Sequence, residues 1–143
     1  MPVNTRTGTP GPNAEVIAAA RDAFQFLEDA ANAVVEVDDG LWITREHRFA
    51  NGEVWVQLDW RTSAAFVLVR GFGDPKRPRF FERHLVDYLE QYGDLDTQAI
   101  QALRTLRTQS GFDAMQRQLA GYGQALRIAL PQMTQRRSPE HDW

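Results

Sequence analysis

The amino-acid sequence predicts an α+β fold: an N-terminal helix, an antiparallel β-meander of three to four strands, then three C-terminal helices. Three observations carry this expectation. Apolar residues recur at three- and four-residue spacing up to residue 31 and again from residue 81 onward. Between those stretches, apolar and polar residues alternate, punctuated by Asp-Asp-Gly and Asn-Gly. Helices segregated from a continuous run of strands are the pattern of an antiparallel sheet covered mainly on one face.

Residues 1–12, rich in Pro, Gly and Thr, read as a flexible leader with no apolar segment of the kind a signal peptide needs. Asn13 can cap the first helix, over residues 14–31, through its side-chain oxygen. Val16, Ala20, Ala23, Leu27 and Ala30 form its apolar stripe, and Glu15, Arg21, Asp22, Glu28 and Asp29 fall largely on the other side. Val35 and Val37 then alternate with Glu36, and Asp38-Asp39-Gly40 is a three-residue turn with Gly40 left-handed. Asn51-Gly52 reads as the centre of the next hairpin, which sets Phe49 opposite Val54, Arg48 opposite Trp55 and Trp42 opposite Arg61. A turn centred on Thr62-Ser63 sets Val56 opposite Val69 and Trp55 opposite Arg70. Both turns assign the same residues to the same face, and a one-residue slip would turn every side chain over.

Gly71-Phe72-Gly73-Asp74-Pro75 ends the sheet. Phe81, Leu85, Tyr88, Leu89 and Tyr92 have helical spacing, with Gly93 as the stop. Asp96 can cap a third helix bearing Ile100, Leu103 and Leu106. Asp113 can cap a fourth bearing Met115, Leu119, Tyr122, Leu126 and Ala129, which ends at Pro131. Gly121 and Gly123 each cost that helix about 1 kcal/mol relative to Ala. A single domain is expected over residues 13–131, with a polar tail over 132–143.

The 143 residues carry 16 Lys and Arg against 19 Asp and Glu, a net charge of −3. Hydrophobic residues at 43% and charged residues at 24% exclude a collagen-like, low-complexity or wholly disordered chain. A domain of this size buries about 68–70% of its unfolded surface and needs no covalent staple. The absence of cysteine excludes disulfides, thiol chemistry and Cys-based zinc sites. Apolar runs fall far short of the ~20 residues a membrane span requires. No cofactor, metal centre or membrane partner is expected, and the expected location is cytoplasmic.

The net charge hides a segregation. Residues 13–59 hold ten acids and three Arg, a balance of −7; residues 60–83 hold six bases and two acids, a balance of +4. Fifteen Arg stand beside the single Lys76, which is compatible with guanidinium recognition of anions and equally with compositional bias.

Two surfaces are candidate sites. The sheet face turned away from the helices collects Trp42, Arg48, Trp55, Asp59, Arg61, Phe66 and Arg70, where polar residues alone would suffice. Trp, Phe and Arg are enriched at the centres of protein interfaces, and each Arg–Trp contact contributes about 0.5–1 kcal/mol at an exposed site. This pattern suits a non-catalytic protein-binding module, of inhibitor, immunity, chaperone or adaptor type, that takes another protein or a second copy of itself. The bland alternatives are that the helical hairpin over residues 96–130 covers this face, or that the pairs merely stabilise an exposed sheet. The second surface is the basic loop with Lys76, Arg77, Arg79 and Arg83, where cations interleaved with aromatics can hold an anionic ligand or nucleic acid. Its shortness and the acidic pI near 5.6 make nucleic acid the less favoured partner.

His84 and Asp87, three residues apart, are the remaining catalytic candidates, with no nucleophile beside them. His47 and Arg45 fall on the apolar face, where a buried, partnered histidine is expected with Glu28 or Glu36 nearby. Neither Gly71-Phe72-Gly73 nor Gly121-Tyr122-Gly123 has the context of a phosphate cradle.

Overall fold

The computed structural model describes residues 12–73 and 82–136. Helix α1 (Pro12–Ala30) leads into strands β1 (Ala33–Asp38), β2 (Trp42–Phe49), β3 (Gly52–Asp59) and β4 (Ala64–Gly71). The two-residue strand β5 (Arg83–His84) runs directly into α2 (Leu85–Tyr92), followed by α3 (Thr97–Arg107) and α4 (Phe112–Met133). The sheet is antiparallel throughout, in the order β1-β2-β3-β4-β5. The α+β class and the element order follow the sequence reading, with one short strand more.

One sheet face forms the core. Val54, Val56 and Leu58 of β3 and Ala65, Val67 and Val69 of β4 are buried there against Leu27, Leu89, Leu119 and Leu126 of the helices. At roughly 1.5–3 kcal/mol for each fully buried large apolar side chain, this face supplies the main cohesion of the fold.

The faces are as the alternation predicts, but both hairpin registers differ from expectation by two residues. Phe49 pairs with Gly52 rather than Val54, and Trp55 lies opposite Glu46 and Leu68 rather than Arg48 and Arg70. The first turn is centred on Ala50-Asn51, and neither residue has a positive φ. Two tertiary constraints override the local preference of Asn-Gly for the turn centre. The Asn51 amide donates to the Met133 and Arg136 carbonyls, at 2.9 and 2.7 Å. Gly52 is a strand residue against which the Phe72 ring lies so closely that a Cβ would come within 2.7 Å of it. The second turn spans residues 60–63, with Ser63 left-handed at φ 50°.

Helix α1 begins at Pro12, so Asn13 lies inside the first turn rather than capping it. Proline suits a first helical position because its missing N–H is one of the unpaired donors there. The helix is kinked at Phe24 (φ −118°, ψ 16°), which lets Phe24 and Phe26 stack with centroids 6.3 Å apart. Asp96 caps α3 as expected, accepting from the Ala99 amide at 2.8 Å. In α4 the capping position is Gly111, and Asp113 sits in the first turn.

Helix α4 runs two residues past Pro131. Where the sequence predicts the start of a polar tail, the chain remains packed through Arg136. Met133 is buried, and Arg136 donates to the Phe72 carbonyl at 3.0 Å with its guanidinium 4.3 Å from the Tyr92 ring centre. Gln118 of α4, fully buried, joins three backbone groups at the β4 side of the sheet. It accepts from the Ala65 amide and donates to the Leu106 and Gln109 carbonyls, each at 2.8 Å.

Candidate functional site

The alternation that buries one face of each strand delivers Trp42, Glu46 and Arg48 of β2 to the opposite face. Glu53, Trp55, Gln57 and Asp59 of β3 and Phe66, Leu68 and Arg70 of β4 join them there. Trp42, Trp55, Phe66 and Leu68 are half-buried and belong to no part of the helix-covered core. The helical hairpin predicted as one possible cover packs instead on the core side, through Leu103, Leu106, Leu119 and Leu126.

Two of the three expected Arg–Trp contacts form. Arg61 lies 4.8 Å from the Trp42 ring centre and Arg70 5.0 Å from that of Trp55. Each is a diagonal contact, because the register places Asp59 opposite Trp42 and Leu68 opposite Trp55. Arg48 turns away from Trp55 to Glu46 at 3.1 Å. Glu53, which the sequence reading missed, is the hub. It accepts from Trp55 Nε1 at 2.9 Å and lies 3.5 Å from Arg70 and 3.9 Å from Arg48. At the Asp59 carboxyl burial opposes ionisation, but the Arg61 amide and guanidinium outweigh it and hold the group below its ordinary value. The result is a pre-positioned surface of aromatic rings whose cations are already oriented. Such a surface loses little side-chain entropy when a partner covers it. Phe66 sits toward β5, its ring edge-on to His84 at 6.4 Å.

The core side contains a cleft of about 470 Å³ between α1 and strands β1 to β3. Ile17, Phe24, Ile43, Val56 and Leu58 supply apolar walls, and Glu28, Glu36, Asp38, Arg21 and Arg45 the polar ones. Glu28 accepts from Arg45 and contacts His47 Nε2, while the other edge of Arg45 donates to Glu36 at 2.8 Å. His47 Nδ1 faces the Val54 carbonyl at 3.2 Å, so both ring nitrogens face acceptors. Burial opposes ionisation of Glu28, but the hydrogen bonds and charges of Arg45 and His47 prevail and lower its pKa. This is the partnered histidine the sequence predicts.

His84 and Asp87 do not form a dyad. His84 caps α2, its Nδ1 accepting from the Val86 amide at 3.1 Å, while Asp87 receives Arg107 at 3.2 Å. Burial first, then the charge of Arg107, pushes His84 down to about 4 against the opposing pull of Asp87. Of the basic loop, Lys76, Arg77 and Arg79 lie outside the described residues, and Arg83 donates to Gln91 at 2.9 Å. Among the described residues no cluster of His, Asp and Glu converges as a metal site, and no helix is long and apolar enough to cross a membrane.

No protein-family model, curated protein or solved structure matches this chain.

Proposed function

We propose that this protein is a non-catalytic binding module that acts in the cytoplasm and docks a protein partner, or a second copy of itself, on the outer sheet face. The observation that supports this reading is the placement of Trp42, Trp55, Phe66 and Leu68 outside the core, with Arg61 and Arg70 stacked on the two tryptophans. Aromatic and arginine anchors of this kind dominate the energetics of protein interfaces. The face is carried by β2, β3 and β4, the central strands of the five-stranded sheet.

The test begins with sedimentation equilibrium on the purified protein, which separates self-association from a foreign partner. The W55A/R70A double variant is then compared with the wild type in binding to the partner so defined. The expected result is a loss of about 2 kcal/mol or more of binding free energy, the scale of a hot spot. A folded double variant that binds with unchanged affinity overturns the reading.

A further inference from the structure

The free edge of the sheet lies beside the cleft under α1. Strand β1 is the terminal strand, and among the described residues nothing pairs with its outer side. Five of its six residues are exposed. Natural edge strands are blunted by proline, lysine, a bulge or extreme shortness. Ala33–Asp38 has none of these, and its pairing with β2 is regular over all six positions. Its one guard is the inward-pointing pair Glu36 and Asp38, which repels an acidic or apolar strand but not a basic one.

Its side chains divide cleanly. Val35 and Val37 lie on the outer face, 37% and 44% exposed. Glu36 and Asp38 point to the core side and line the cleft, which continues inward to Ile43, Leu58 and Phe24. A strand added beside β1, about 4.8 Å away, therefore places every second side chain at the mouth of that cleft and the alternate ones over Val35 and Val37. Recognition by strand addition has this form: backbone hydrogen bonds give affinity and pockets for alternate side chains give specificity. The outer rim of the mouth on the strand side is acidic, through Asp38 and the exposed Glu36, whose cation partner among the described residues is Arg45 of β2 deeper in the cleft at 2.8 Å; residues 13–59 carry the −7 balance. Arg21 and Gln25 line the helix side.

We infer that β1 and the cleft beneath α1 form a groove for an extended peptide segment, which joins the sheet as a further strand and directs alternate basic side chains toward Glu36 and Asp38. This inference shares with the proposed function only the premise that the partner is a protein; it uses a different surface.

The experiment titrates the full-length, 15N-labelled protein with a short acetylated, amidated peptide of alternating lysine and valine. Parallel titrations use a glutamate-for-lysine version and the fully N-methylated counterpart. The expected result is amide shifts in Ala33–Asp38 and in the cleft-lining turns of α1. Affinity is expected to fall about tenfold or more on N-methylation, on the glutamate exchange, and in the E36Q/D38N variant. The W55A/R70A variant is expected to bind the lysine peptide unchanged. Absence of β1 shifts at about 1 mM peptide, a weak limit for specific recognition, overturns the inference. Equal affinity of the N-methylated peptide overturns it as well. Shifts confined to the neighbourhood of Trp55 and Phe66 overturn it while leaving the outer face as the docking surface.

Discussion

Glu28 receives Arg45 and His47 on one carboxylate, and the same Arg45 reaches on to Glu36, so three elements meet at one side chain. Its replacement by Gln removes the negative charge that both partners face and leaves the buried His47 against a neutral amide. E28Q is expected to lose about 2 kcal/mol of unfolding free energy, the scale of hydrogen bonds to charged groups, measured by urea denaturation at pH 7. A loss within error would show that the network contributes no net stability. The pH dependence has a definite sign. A carboxyl whose folded pKa lies below its ordinary 4.5 stabilises the fold above that value, and the contribution disappears as pH falls through the lowered one. His84 acts in a different window. Its pKa is pushed from 6.5 down to about 4, so between these values the unfolded chain binds the extra proton and stability declines as pH falls. The full decline is about 3 kcal/mol at 1.36 kcal/mol per pKa unit. H84N keeps a side-chain acceptor for the Val86 amide and removes the titration, so its stability is expected to change far less between pH 6.5 and 4. A wild-type slope persisting in H84N would assign the titration to another group.

Two glycines of α4 illustrate how elements, rather than single residues, set sequence choice. Both lie in helical turns where Ala gains about 1 kcal/mol by propensity alone. A Cβ at Gly123 would stand 2.9 Å from the Ala23 carbonyl oxygen of α1, which is backbone and cannot move without separating the helices. A Cβ at Gly121 would crowd the Leu106 Cδ1 at 2.7 Å, the end of a side chain with other rotamers, and would touch the Leu103 Cδ2 at an ordinary 3.7 Å. G123A is therefore expected to lose about 1–3 kcal/mol, the usual cost of overpacking, and G121A to stay near neutral, as read from thermal melts. Equal effects would mean that the α1–α4 approach is not the constraint. These glycines also show what a sequence conceals. Their helical spacing argues against them locally, and only the neighbouring helix supplies the reason for them. The hairpin registers are a parallel case. Alternation fixes the face of every strand residue, and a displacement by two leaves that face intact, so the faces were legible and the pairs were not. Asn51 takes the second central position of the turn, not the first, because of bonds to the end of α4, more than eighty residues away. The Trp42–Arg61 and Trp55–Arg70 contacts were legible because they need only the shared face. The cleft was not, because it depends on where α1 crosses the sheet.

Across the whole molecule, burial rises steeply from one sheet edge to the centre. β1 is exposed at five of six positions, whereas β3 and β4 alternate between buried and half-buried residues under the helices. The charge pattern follows the same axis. On the outer face the later, basic segment answers the acids locally, with Arg61 on Asp59 and Arg70 on Glu53. Glu36 and Asp38 remain on the exposed edge strand, with Arg45 answering Glu36. Local opening costs least where few apolar contacts and many exposed backbone groups coincide. Amides of β1 are therefore expected to exchange with deuterium through local opening, at free energies well below the global value. Those of Val54, Val56, Val67, Leu119 and Tyr122, all buried in the shared core, are expected to exchange only through global unfolding. Native-state exchange at increasing urea separates the two classes, because global openings steepen with denaturant and local ones do not. If β1 exchanges together with β3 and β4, the edge is locked into the cooperative core. Among the described residues the outward backbone groups of β1 are unpaired in the closed state as well, so strand addition at β1 displaces no part of the fold and is expected to slow the local opening of the edge.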